Sequence, residues 1–69
     1  MARYQQQRPD IQIVNSGSGF YGIHGETKQG REWLQANVQG YAQGVAWCDD
    51  RRYAEDIAQG AIDAGLRVR

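Results

Sequence analysis

The stretch Ile11-Gln12-Ile13-Val14-Asn15-Ser16-Gly17-Ser18-Gly19-Phe20-Tyr21-Gly22-Ile23-His24 decides how this chain folds. Its first part is rich in β-branched residues and is bounded by Pro9 and by a run of small turn-forming residues, the pattern of a strand. The glycines of the run admit positive φ, and Phe20 to His24 supplies aromatics that pair well across an antiparallel ladder. The stretch therefore predicts a β-hairpin. The same residues contain Gly17-Ser18-Gly19-Phe20-Tyr21-Gly22, a literal G-x-G-x-x-G. In a phosphate-binding loop the last glycine opens a helix whose N-terminus holds the anion, whereas here a strand follows and the next helix starts only near Thr27. A permissive hairpin turn is the expected role.

Upstream, residues 1–9 hold three consecutive glutamines, Arg3, Arg8 and the single proline, with no strand or helix period, and read as a loosely docked arm. Residues 10–69 then form one α+β domain. Downstream, Thr27 is a helix cap, and Gly30, Trp33, Leu34, Asn37 and Val38 form a stripe at helical spacing that ends near Gly40. Gly30 on that stripe costs about 1 kcal/mol of helix propensity relative to Ala, which predicts close packing against it. Gly44 to Cys48 is a nearly continuous apolar run, expected as a central strand covered on both faces.

Asp49 and Asp50 cap a second helix, with Tyr53, Ile57, Ala58, Ala61 and Ile62 as its apolar stripe. Gly65 is the stop, Leu66 folds back on the last turn, and Arg67-Val68-Arg69 is a short edge strand whose arginines discourage further pairing. The order is ββαβα(β): an N-terminal hairpin in a small mixed sheet with two helices packed on one face. The intervals between the later strands are long enough for helical crossovers between parallel neighbours.

Sixty-nine residues leave no material for a second core. Eight Lys and Arg balance eight Asp and Glu, so no overall field draws in nucleic acid or an anionic membrane, although a local basic patch is compatible with this balance. Seven of the eight cations are arginines, which favours fixed contacts to carboxylate or phosphate. A single cysteine rules out an internal disulfide and fits a reducing, cytoplasmic setting. No apolar run is long enough to span a bilayer, and the polar start lacks the apolar stretch of a secretory signal.

The parts for chemistry are few. His24 and Cys48 are each alone in the chain, too little for a metal centre; a nucleophilic pair would need them to meet, and a buried inert thiol is the ordinary outcome for a cysteine in an apolar strand. Ser16 and Ser18 sit in a turn with no helix to support a nucleophile elbow. No catalytic residue, cofactor or metal ligand is assigned.

What remains is surface. Arg51 with Glu55 and Arg52 with Asp56 are i,i+4 pairs of the kind that solvate a helix face. Alternatively Asp49, Asp50, Glu55, Asp56 and Asp63 give the helix an acidic flank for a basic partner. The candidate contact residues are Tyr21, Arg31, Tyr41, Asp49, Asp50, Arg51, Arg52 and Glu55, and Trp47 is open between core and interface. Arg3, Arg8, Arg67 and Arg69 form a basic cluster if the termini meet; with Tyr4, Phe20 and Tyr21 they would bind a single strand by stacking and charge.

The strings Ile11-Gln-Ile-Val-Asn15-Ser-Gly17, Gly30-Arg-Glu-Trp33-Leu, Arg52-Tyr53-Ala-Glu-Asp56-Ile57-Ala-Gln-Gly60 and Asp63-Ala-Gly65-Leu66-Arg-Val68 resemble a set of short proteins of proteobacteria and their phages, over most of residues 11–68. The turn after Asn15 is longer and richer in glycine than that pattern. The resemblance implies a phage or prophage setting and no particular activity; stand-alone domains of this size in that setting often act by sticking to host proteins, anti-CRISPR inhibitors among them. The expectation is a non-enzymatic protein-binding module that occludes a host protein or ribonucleoprotein complex, with a homodimer possible and no membrane partner. The alternative is a small nucleic-acid-binding module.

Overall fold

The computed structural model describes residues 8–69; of the expected arm, residues 1–7, including Arg3 and Tyr4, lie outside the described residues. The elements run β1 (Ile11–Asn15), β2 (Tyr21–Gly25), α1 (Lys28–Asn37), β3 (Val45–Cys48) and α2 (Arg51–Asp63), an α+β arrangement that starts with the expected hairpin. The G-x-G-x-x-G glycines lie in the turn and the start of β2, and the third of them sits inside that strand, not at the start of a helix.

β1 pairs with β2 in register Ile11 to Gly25 through Asn15 to Tyr21, and β2 pairs with β3 in register Tyr21 to Cys48 through His24 to Val45. Both pairings are antiparallel and the order is β1-β2-β3, so β2 is central. Two expectations are thereby corrected: β3 is an edge strand, and it runs antiparallel to its neighbour. The cause is a tight reversal after α1. Ala42 and Val45 exchange backbone hydrogen bonds at 3.1 and 3.2 Å, with Gln43 and Gly44 both at positive φ, 56° and 90°. These are the two central residues of a primed hairpin turn, which re-aims the chain before β3 begins. Because Ala42 uses the outward N–H and C=O of Val45, it also closes part of the free edge.

The parallel component of the sheet is a bridge between Ile11 and Val68. Arg67 O accepts from Ile11 N at 3.0 Å, Arg69 N donates to Ile11 O at 2.9 Å, and Ile13 N donates to Arg69 O at 2.9 Å. The expected final edge strand thus exists as a short ladder beside β1.

Both helices cover one side of the sheet. Ile11, Ile23, Leu34, Val38, Ala46, Ala54, Ile57 and Ala61 are buried, and the three bulkiest fully buried side chains, Ile11, Ile23 and Leu34, contribute about 2 kcal/mol each. Thr27 caps α1 as expected, its hydroxyl accepting from Gly30 N at 3.0 Å. Gly30 packs against backbone: a Cβ there would fall on the carbonyl of Asp10. Asp50 caps α2 by accepting from Arg52 N at 2.9 Å. At its other end Gly65, at φ 90°, lets Leu66 N reach Ala61 O and Gly65 N reach Ile62 O, the paired bonds of a Schellman stop.

The α2 stripe is rotated from the expected one. Ala54, Ile57 and Ala61 face the sheet, while Tyr53 and Ile62 are exposed, because small side chains let the helix lie close where a tyrosine would hold it off. On α1, Asn37 is exposed and bonds back to Trp33 O. Among the described residues no helix is long and apolar enough to cross a membrane.

Candidate functional site

Strand alternation divides the sheet into a helix side and an open side. Ile11 and Ile13 of β1, Tyr21 and Ile23 of β2, and Ala46 and Cys48 of β3 share the helix side through the observed register. Gln12, Val14, Gly22, His24, Val45 and Trp47 therefore lie on the open side, where no element of the described chain covers them. Trp47 is 60% exposed and Val14 43%. Phe20, immediately before β2 and bonded through its carbonyl to Ser16 N, is 47% exposed, and the alternation of β2 carried back one residue puts it on the open side.

The indole of Trp47 lies over Gly22. A Cβ at Gly22 would meet the indole at 3.0 and 3.2 Å and His24 Nε2 at 3.0 Å, so the absent side chain makes the seat for the ring. His24 meets Trp47 edge to face, with ring centroids 6.2 Å apart and planes at 78°. One side of the indole is thus braced and the rest faces solvent. The six strand positions of this face hold no Asp, Glu, Lys or Arg.

The terminal ladder adds the charge. Val68 packs against the core, so alternation places Arg67 and Arg69 on the open side, with Arg69 beside Gln12. Asp10 ties this tail down: its Oδ2 accepts from Arg67 N at 2.9 Å and its Oδ1 from the Thr27 hydroxyl at 2.6 Å. The Arg67 backbone bond, then the Thr27 bond, hold the Asp10 carboxyl below its ordinary value.

The eight residues expected to make contacts do not form one patch. Tyr21, Arg51 and Glu55 come together with Ile13, Ala54 and Ala58 around a hollow of about 150 Å³ between the sheet and α2. Arg31 and Tyr41 line an open groove of about 420 Å³ on the flank of α1. The Tyr41 hydroxyl is buried with no hydrogen-bond partner among the described residues. Asp49 and Arg52 are exposed near the start of α2, and Asp50 is used as its cap. Arg51 and Glu55 form the expected ion pair at 3.0 Å, exposed on both sides; Arg52 and Asp56 are not joined in this way.

β2 and β3 are neighbours, but the register places His24 on the open side and Cys48 on the helix side, so they do not form a Cys-His pair. Cys48 is half-buried and its thiol points to Asp50 O at 3.8 Å, rather than being fully enclosed as expected. The open-side residues Gln12, Val14 and His24 were not among the expected contacts. A signal for them exists in the alternation of large Val45 and Trp47 with small Ala46 and Cys48: the small pair suits a face beneath a closely packed helix. No protein family, no curated protein and no solved structure matches the chain.

Proposed function

We propose that this chain is a non-enzymatic binding module that acts by occluding a larger host macromolecule, a protein or ribonucleoprotein, and that it docks through the open side of its sheet. The observation that carries the reading is Trp47: a tryptophan 60% exposed, seated on Gly22 and braced by His24, on the edge strand of a face whose strand positions hold no Asp, Glu, Lys or Arg. Ordered aromatics of this kind supply large contact area at small entropic cost, and they dominate binding energy where they anchor an interface. The phage setting implied by the sequence resemblance fits such a role, an anti-CRISPR-type inhibitor being one form of it. The acidic flank of α2 and the Tyr21–Arg51–Glu55 hollow are secondary contact regions.

The test is affinity capture from a bacterial host lysate with wild type and Trp47→Ala, alongside thermal melts. Exposure of the ring keeps the stability of the variant within about 0.5 kcal/mol of wild type. The expected result is loss of the captured species with the fold intact. Equal capture by the two proteins would sink the reading.

A further inference from the structure

We propose that the component bound by the open side of the sheet is a single strand of nucleic acid, its bases stacking on Trp47 and Phe20 and its phosphates meeting Arg69. This rests on the preceding reading that the open side is the docking surface.

Four adjacent segments, residues 67–69, β1, β2 and β3, at ~4.8 Å spacing and about five residues of ~3.4 Å give a face of roughly 300 Å². A stable protein interface takes about 800 Å² of accessible surface from each partner, so a folded protein or a second copy would have to reach the neighbouring contact regions as well as this face. Strand addition at the β3 edge is restricted as well, since Ala42 already uses the outward groups of Val45. A single strand is narrow enough for the surface available.

Charge and chemistry agree with that occupant. The cations lie on one border, where the ladder puts Arg67 and Arg69 on the open side, and the aromatics lie toward the opposite border at Trp47 and Phe20. Gln12 and His24 stand between them with hydrogen-bonding groups for base edges. The Asp10 carboxylate, which accepts from Thr27 and from the Arg67 backbone, keeps its negative charge at this border and offsets that of Arg67, so Arg69 is the cation that meets phosphate. Stacking is tolerant of base identity because every base has a π-face, and guanidinium contacts hold the backbone. With the whole chain neutral, the electrostatic share is small and local.

The experiment is fluorescence anisotropy with labelled oligo(dT) and oligo(U) of about ten nucleotides, and with a duplex of the same length, between about 50 and 200 mM salt. The proposal expects the single strands to bind and the duplex not to. Trp47→Ala weakens binding about tenfold or more, and Trp47→Phe retains most of it. Gly22→Ala, which keeps the indole but displaces it, weakens binding too. Arg69→Gln lowers the slope of log K against log salt by about 0.7, the value for one phosphate contact on a single strand.

No binding of either single strand up to about 100 μM at the lowest salt overturns the proposal. If Trp47→Ala nevertheless abolishes capture from a nuclease-treated lysate, the partner is a protein and the docking surface stands. A concentration-dependent dimer that protects Trp47 from quenching overturns the proposal in favour of a second copy. Indifference of both assays to Trp47→Ala removes the surface itself.

Discussion

The Thr27 hydroxyl donates to Asp10 Oδ1 at 2.6 Å while accepting from Gly30 N at 3.0 Å, so one side chain joins the entry of β1 to the first turn of α1. The second carboxylate oxygen of Asp10 accepts from Arg67 N, and its backbone carbonyl accepts from Glu26 N at 2.8 Å. Three segments distant in the chain meet at this residue. Asp10→Ala is expected to cost about 1–2 kcal/mol in urea denaturation, the range for losing charge-assisted hydrogen bonds at a partly exposed site.

Acid should act through the same carboxylate. Its folded-state value is lowered, first by the Arg67 backbone bond and then by Thr27, from an ordinary value of 3.8. The stabilisation is therefore complete above that ordinary value and is lost as pH falls through the lower, folded value. Asp10→Asn should flatten this part of the acid limb, measured as stability against pH below about 5. An unchanged limb would show that other carboxylates set it.

Gly30→Ala opposes two effects. Alanine gains about 1 kcal/mol of helix propensity, but its Cβ would fall on the Asp10 carbonyl and force α1 away from β1. Backbone cannot yield as a flexible side chain does, so the net expectation is a loss of about 2–3 kcal/mol in chemical denaturation. Gln35→Ala, exposed on the same helix, serves as the neutral comparison.

The two tryptophans separate cleanly by exposure. Trp33 is half-buried against the core, with its ring 3.4 Å from where a Cβ on Gly60 would stand, and Trp47 is open to solvent. Acrylamide should quench the fluorescence of Trp33→Phe strongly and that of Trp47→Phe weakly. Similar quenching constants would contradict the assignment of the open side.

Gln43 holds φ at 56°, a region that glycine and asparagine tolerate better than glutamine. Gln43→Asn creates the Asn-Gly pair favoured in a primed hairpin turn and should stabilise by about 0.5–1 kcal/mol, raising the melting temperature by several degrees. Arg51→Ala, by contrast, breaks an ion pair whose side chains are 77% and 63% exposed, and should change stability by under about 0.5 kcal/mol.

The features legible in the sequence are those governed by local rules. Thr27 and Asp50 cap because their side-chain oxygens reach helical N–H groups, and Gly65 stops α2 because it takes positive φ freely; each depends on a few neighbouring residues. Strand order and direction depend on Gln43 entering the left-handed region, which no propensity for glutamine announces, and so β3 reads wrongly as central and parallel. The α2 stripe misleads because Tyr53 and Ile62 are chosen by hydrophobicity, while fit against the sheet selects Ala54 and Ala61. The open side is less legible still: Trp47 belongs to an apolar run, and only its pairing with Gly22, with no covering layer among the described residues, marks it as outward.

The ladder between β1 and residues 67–69 has a consequence for biosynthesis. One edge of β1 is satisfied by a segment made only after both helices, so the hairpin cannot reach its native environment until that segment has emerged. At roughly 5–20 residues per second the nascent chain waits a few seconds for that partner with Ile11 and Ile13 uncovered, an interval open to chaperones.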